Sequence, residues 1–400
     1  MPDYRPLSDE HTDDYYRLTS YAFQPTAGPY DPDDDLDERR QRLFSFGERR
    51  GLFDGSDLLV CCKHIEFTAR VRDEWLPVVG LSAVASPPQH RRKGLIGDLL
   101  VESLAEYRER EWPLSVLWPF EYGFYARYGW ETCNRYVTAT IEVDALSATQ
   151  DSGSGEFRPV DPDEFDRLKP VFETWLDDTQ LTIRRPADWW RDRVFQTYEK
   201  ELFGQCWESD GKPRGYVVYT FEEGDDGRKL KVHEFAYTDQ EAYLNLLRFC
   251  HNHDSQVERV TLYGPSHDGL VDVIDDRSAL TVEVHAGPMV RIVDVPMAFE
   301  AVSYPSVEDA SVVVAVEDDH APWNDQAFEI VIEGGEATVT ESNADPDATV
   351  GIGTLSQLFI GYLSVDRAQR VGDLHIHSPE IAVALDAIFP ERKCFLSEGF

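Results

Sequence analysis

An apolar run, Val78-Val-Gly-Leu-Ser-Ala-Val84-Ala, breaks at Ser86-Pro87-Pro88 and passes through Gln89-His90-Arg91-Arg92-Lys93-Gly94. It re-emerges as a stretch with Leu95, Leu99, Leu100 and Leu104 spaced along one face of a helix. A buried strand that feeds a helix through a short turn is a building unit of α/β sheets, and it constrains this chain more than any other segment. The turn also has chemistry. N–H groups at a helix start have no partner inside the helix and lie at the positive end of its dipole, and glycine lets an anion come close. Arg91, Arg92 and Lys93 add positive charge there, in a chain with 75 acidic and 38 basic residues. Such a cluster between a buried strand and a helix reads as an anion cradle rather than an ordinary solvated helix start.

The 400 residues predict two to three domains at about 100–200 residues each. With 42% hydrophobic and 12% aromatic residues, a mainly disordered chain is excluded. No stretch approaches the ~18–20 apolar residues that would span a bilayer, and the acidic start MPDYRPLSDEHTDDYY is no secretory signal. The six cysteines are scattered without CxxC spacing, so neither a zinc site nor a disulfide framework is expected, and a reducing cytoplasm fits. The net charge of −37, spread along the chain and accompanied by only 8 lysines, reads as adaptation to a salt-rich cytoplasm and disfavours nucleic-acid binding.

Helical spacing covers Leu7–Phe23, and Asp31–Asp37 with its flanking prolines reads as a loop. Strands are expected at Leu58–Lys63, Ile65–Val71, Pro77–Ala85 and Leu114–Trp118, and a helix from about Gly94 to Arg110. The polar stretch Asp151–Glu156 reads as a linker. Beyond it a similar order recurs: helix Asp163–Asp177, strand Gly215–Phe221, a turn at Gly224–Gly227, strand Leu230–Tyr237, helix Gln240–His251 and strand Val257–Tyr263. From Met289 strands (Val290–Val295, Ser311–Val316, Phe328–Ile332, Ala337–Thr340) precede helices at Thr354–Tyr362 and Pro379–Phe389. The expected fold class is therefore α/β (α+β) in three units: 1–148, a degenerate copy at 149–288, and 289–400.

Arg91-x-x-Gly94 at a strand-to-helix turn resembles the pyrophosphate loop of the GNAT acetyltransferases, with Ile96 standing where Gly or Ala is usual and Gly97 one place later. Pro119-Phe-Glu-Tyr-Gly-Phe124-Tyr125-Ala-Arg127-Tyr128-Gly129-Trp130 resembles the aromatic block after the fifth strand of that superfamily. With the three-part layout and the final phenylalanine, the chain is similar to the Eis-like branch, multi-acetylating aminoglycoside acetyltransferases and their relatives. The resemblance implies tandem GNAT folds, each a mixed sheet flanked by helices, and a sterol-carrier-like C-terminal domain. It also implies acetyl-CoA as co-substrate and homo-oligomers, hexamers among the relatives. The central copy has Tyr237-Thr-Asp-Gln-Glu241 at its corresponding turn, where two acids would repel pyrophosphate, so one cofactor site per chain follows.

Acetyl transfer to an amine needs a base, an oxyanion stabiliser and an acid for the departing thiolate. The resemblance implies that backbone around Val84 and Ser86 holds the pantetheine arm and polarises the thioester. Arg91, Arg92, Lys93, Gly94 and Gly97 then bind the cofactor, Tyr125 acts as acid, and the terminal carboxylate of Phe400 as base. Tyr122 and Tyr128 are read as structural. The acceptor expected is a primary amine: an aminoglycoside, a polyamine or a lysine-like group. Asp31–Asp37 and Glu398 are possible carboxylates for it, and Trp118, Phe120 and Phe23 a possible aromatic lining. Two alternatives are a long-chain acyl-CoA N-acyltransferase acting on peptides, which uses the same tandem layout, and a carrier of an apolar ligand with a vestigial GNAT domain. His375-x-His377 lacks a third ligand and is not read as a metal site. Asp188-Trp189-Trp190 reads as a helix start whose tryptophans pack between domains, Cys61-Cys62 as a strand pair with one thiol buried, and no Ser/His/Asp grouping is legible.

Overall fold

A computed structural model describes the chain apart from residues 1, 33–41, 43, 44, 150–154, 198, 199, 225, 226, 268 and 306. Most of the expected loop Asp31–Asp37 and linker Asp151–Glu156 thus lies outside the described residues. The first strands are β1 (Asp3–Pro6), β2 (Glu48–Asp54), β3 (Asp57–Val71), β4 (Glu74–Ala85), β5 (Leu114–Leu117), β6 (Glu131–Thr132) and β7 (Arg135–Glu142). They are followed by β8 (Glu156–Pro159), β9 (Phe203–Ser209), β10 (Lys212–Gly224), β11 (Gly227–Tyr237), β12 (Arg259–Gly264), β13 (Leu280–Ala286) and β14 (Met289–Ile292).

One sheet has the order β1-β2-β3-β4-β5-β14-β6 and a second β13-β7-β12-β11-β10-β9-β8. Each contains a single parallel pair, β4 with β5 and β11 with β12. In each sheet an antiparallel strand follows that pair: β14 beside β5, and β7 beside β12. These two strands are exchanged. β7, inside the expected unit 1–148, hydrogen-bonds into the second sheet, while β14, at the head of the expected unit 289–400, completes the first. The register of a strand is settled by its partner's buried face, so local pattern could not reveal which sheet takes it.

The residues expected as two strands, Leu58–Lys63 and Ile65–Val71, form the one long strand β3, because no proline or glycine interrupts the alternation at His64. Both cysteines of the Cys61-Cys62 pair are buried rather than one, because helices cover both faces of this sheet. Cys61 packs with Tyr15 and Leu18 of the helix Thr12–Phe23, and Cys62 with Leu99, Leu100 and Leu104 of the helix Leu95–Glu109.

The third sheet comprises β15 (Ala310–Glu317), β16 (Ala327–Glu333), β17 (Glu336–Glu341), β18 (Ala348–Gly351) and β19 (His375–Ile376), in the order β17-β16-β15-β18-β19. Arg72, in the turn between β3 and β4, is buried in this unit. Its Nε donates to the Phe359 carbonyl at 2.8 Å and its guanidinium also reaches the Ile388 carbonyl, each at the C-terminal end of a helix, where the dipole favours a cation. The tail then runs back across the molecule. Phe395 N–H donates to Gln180 O, Leu396 N–H to Asn134 Oδ1 at 3.0 Å, and Trp118 Nε1 to Glu398 O at 2.7 Å.

Candidate active site

β4 and β5 pair only from Val78–Leu114 to Leu81–Leu117. Beyond Leu81 the strand bulges: Cys61 pairs with Ala85 and Lys63 with Ser82, so Ala83 and Val84 oppose the single residue Cys62, and Ala83 takes a φ of +50°. The bulge turns the end of β4 away from β5 and leaves Ser82, Ala83 and Val84 facing a cavity of about 650 Å3. That cavity is lined by Val84, Tyr125 and Phe400, together with Phe23, Trp118 and Phe120. Val84 and the residues expected as acid, base and aromatic lining therefore face one space, while Ser86 lies outside its lining.

Past Ser86, the turn 91–94 is exposed. Arg91 Nε donates to Ser86 O at 3.1 Å and the guanidinium lies 5.8 Å from the Tyr21 ring. Arg92 and Gly94 have φ values of +59° and +84°, and Gly94 is the N-cap of the helix Leu95–Glu109, with no side chain capping it. A Cβ at Gly94 would meet nothing within 4 Å, so this helix start is open toward a ligand. Gly97 differs from the expectation. It is buried one turn into the helix, and a Cβ there would run into the Tyr128 hydroxyl, so its smallness serves helix packing rather than the exposed turn. At the corresponding turn of the second sheet Asp239 accepts from Ala242 N–H at 3.0 Å, and Arg214 ties down Asp239 and Glu241. That helix start is already capped by a carboxylate.

Tyr125 lies on the helix Tyr122–Ala126, whose N-cap Glu121 accepts from Gly123 N–H. Its ring packs edge-on to Phe120 and Phe124, at 5.4 and 5.2 Å between centroids. Only 3% of Tyr125 is exposed, and burial pushes its phenol well above the usual range, so it stays protonated. Tyr122 donates to Glu131 at 2.6 Å, and the Tyr128 ring lies tilted against His320 at 4.5 Å between centroids.

Phe400 packs its ring 5.0 Å from Phe67 and above Gly80. A Cβ at Gly80 would come within 2.6 Å of Phe67 Cε2 and 2.8 Å of Phe400 Cε2, so glycine makes room for the terminal ring. Gly80→Ala should keep the fold, since no left-handed backbone is needed there, but displace Phe400 and lower kcat about tenfold; steady-state kinetics beside a thermal melt would check this.

Several wall residues have no local sequence signal. Arg185, buried, donates from Nη1 and Nη2 to Glu234 at 2.9 and 2.5 Å and from Nε to Glu398 Oε1 at 2.8 Å. Glu398 Oε2 also accepts from Trp189 Nε1 at 2.6 Å. Glu398 is thus committed to an internal network rather than offered to an acceptor. Arg193 donates to Gly399 O at 2.6 Å, and Lys63, on β3 opposite Ser82, also lines the cavity. A Ser–His–Glu grouping does exist, with His64 Nε2 3.2 Å from Ser103 Oγ and Nδ1 3.8 Å from Glu106. Ser103 is wholly buried and also donates to Leu99 O, and burial pushes His64 down to about 3, so the grouping is an interior polar cluster. Among the described residues no group of three or more His, Cys, Asp or Glu is placed to hold a metal ion, and no helix is long and apolar enough to cross a membrane.

Comparison with known families assigns these parts. Residues 3–133 match one acetyltransferase (GNAT) domain model, residues 181–292 a second, and residues 295–397 a sterol carrier protein domain. The chain is therefore a GNAT acetyltransferase with two such domains and a C-terminal sterol carrier domain. More particularly, it is Eis-like. It is 25% identical over 359 residues to N-acetyltransferase Eis of Mycobacterium tuberculosis, covering 85% of each chain. It is also 25% identical over 414 residues to an uncharacterized N-acetyltransferase of Streptomyces griseus, covering 97% of this chain and 96% of that one. The fold is shared with a GCN5-related N-acetyltransferase from Anabaena variabilis (TM-score 0.86, 20% identity, both chains covered in full). Eis1 from Mycobacterium abscessus has it too (TM-score 0.77, 21% identity, both covered in full).

Proposed function

We propose that this chain transfers the acetyl group of acetyl-CoA to a primary amine by direct attack in a ternary complex, in the cytoplasm. The observation that carries the reading is the meeting of the bulged end of β4, Tyr125 and Phe400 on one cavity. Acetyl-CoA supplies the activated acyl group as a thioester. Arg91, Arg92, Lys93 and Gly94 hold its pyrophosphate at the open helix start, and the unpaired edge of β4 around Val84 and Ser86 holds the pantetheine arm and the carbonyl oxygen. The Phe400 carboxylate takes one proton from the acceptor's ammonium, freeing the lone pair that attacks the thioester carbon; as the C–S bond breaks Tyr125 protonates the departing sulfur, and the second proton shed by nitrogen after the C–N bond forms restores the phenol.

An apolar-ligand carrier fits less well. The interior of the third unit, between Val314, Val350, Leu355, Leu385 and Phe389, has a void of about 10 Å3. That is barely room for one water, far below the volume of a lipid. The test is thiol release from acetyl-CoA in molar salt over a panel of primary amines, with product masses read in parallel. Equimolar thiol and acetylated amine are expected. Failure to bind acetyl-CoA in calorimetry would sink the proposal.

A further inference from the structure

The active-site cavity is closed on one side by the ring of the last residue. β4 and β5 separate after Leu81 and Leu117, and Gly80 stands one residue before that opening. Gly80 and Ser82 project from the same face of β4, roughly 7 Å apart along the strand. A Cβ at Gly80 would lie 2.8 Å from Phe400 Cε2 and 3.1 Å from its Cζ. The tip of the ring therefore occupies the place on the sheet where a β4 side chain would otherwise stand, next to the bulge that faces the cavity.

The ring is held in that place. Trp118 Nε1 donates to Glu398 O, Trp189 Nε1 donates to the Glu398 carboxylate, and the ring packs on Phe67 at 5.0 Å between centroids. Phe67 in turn meets Trp189 edge-on at 5.2 Å, and Trp189 meets Phe46 at the same distance. Phe46, Phe67 and Trp189 line a second space of about 400 Å3. Phe400 borders the active-site cavity and not this second space, whereas Phe67 borders the second space and not the cavity. The two spaces are thus parted by a wall two rings thick. Such a wall does not yield cheaply, because a close-packed interior resists even one added methylene.

Building on the acetyltransferase reading, we infer that the Phe400 ring is the stop of the acyl pocket and restricts the donor to short-chain acyl-CoA, because a longer chain starting at the β4 bulge runs into it. The terminal residue then has two separable duties: its carboxylate serves the amine and its ring limits the acyl group. Phe67 is the second layer of the stop. A long-chain acyl group needs a continuous apolar channel, and it is shut out while both rings are in place. Chemistry and proton balance are those of the transfer above, and only the limit on the acyl chain is new.

The experiment compares kcat/KM for acetyl-, propionyl-, butyryl- and hexanoyl-CoA, using the primary amine that reacts fastest. It is run on the wild type, Phe400→Leu, Phe400→Ala and the double variant Phe67→Ala, Phe400→Ala. Every one of these chains still ends in a carboxylate at residue 400. In the wild type butyryl-CoA should fall at least about tenfold below acetyl-CoA, the effect of surplus methylenes in a filled pocket. Phe400→Ala should bring that ratio close to one, Phe400→Leu should lie between, and the double variant should extend the gain to hexanoyl-CoA. Because each readout is a ratio within one variant, loss of overall activity does not blur it. A wild type that uses hexanoyl-CoA as well as acetyl-CoA would overturn the inference while leaving the acetyltransferase reading intact. So would a Phe400→Ala variant whose selectivity shifts among amines but not among acyl donors. A wild type that turns over no acyl-CoA with any amine would overturn both.

Discussion

Arg185→Met should cost about 3–5 kcal/mol of folding stability, because it leaves two buried carboxylates without their cation. Arg185 is wholly buried and bridges three parts of the fold: Glu234 on β11, Glu398 in the tail, and the face of Phe172, 3.7 Å from its guanidinium carbon. A methionine of similar length keeps the packing against Phe172 but supplies no charge. The triple variant Arg185→Met, Glu234→Gln, Glu398→Gln should regain most of the stability, since a neutral replacement of a whole buried network is close to neutral in free energy. Its turnover should stay low, because the tie between Arg185 and Glu398 that aims the tail at the cavity is gone. Urea denaturation and steady-state kinetics on the two variants separate these effects. A short Gly-Ser extension after Phe400 is the complementary probe: it displaces the carboxylate while leaving the network in place, so kcat should fall with stability unchanged. Recovery of turnover in the triple variant would refute the positioning role.

That network was the least legible part of the chain. Arg185 and Glu398 are separated by 213 residues, and Arg185 and Glu234 by 49, so neither partnership follows from spacing on a helix or strand. The same holds for Lys63, which looks like an ordinary strand residue until the bulge at Ala83 turns the end of β4 and opens the cavity beside it. Local features fared better. The strand, basic turn and helix from Val78 to Glu109 are legible because apolar periodicity, proline and glycine all act within a few residues. β1, β2, β6, β7, β8, β9, β13, β18 and β19 have no counterpart among the strands expected from sequence: β1 has four residues ending on a proline, β6 and β19 have two residues each, and the pairing of the others is settled by neighbours mostly far off in sequence. The exchange of β7 and β14 is of the same kind. Each strand satisfies its own alternation wherever it lies, and only the vacant edge beside β5 or β12 decides which sheet accepts it.

Tyr125→Phe should lower kcat by about 10²–10⁴-fold, the range for loss of a positioned general acid, with the KM for acetyl-CoA nearly unchanged. The substitution removes only the hydroxyl. The ring contacts with Phe120 and Phe124 remain, as do the backbone bonds from Tyr128 N–H and Trp130 N–H to the Tyr125 carbonyl, so the melting temperature should barely move. The sign of the pKa shift is compatible with the proposed proton transfer. Burial disfavours the phenolate, raising the pKa, so near neutrality the Tyr125 phenol holds its proton, as the proposed donor must. Ionisation of Tyr125 therefore adds no alkaline limb to the wild-type pH profile in the working range, and any acidic limb belongs to the base and the amine. A purely structural tyrosine would give the same loss for every acyl donor. A general acid would not: with a thioester whose leaving thiol is more acidic than that of acetyl-CoA, the departing sulfur needs less help and the deficit of the phenylalanine variant should shrink. A deficit that is constant across leaving groups would assign the proton to another donor.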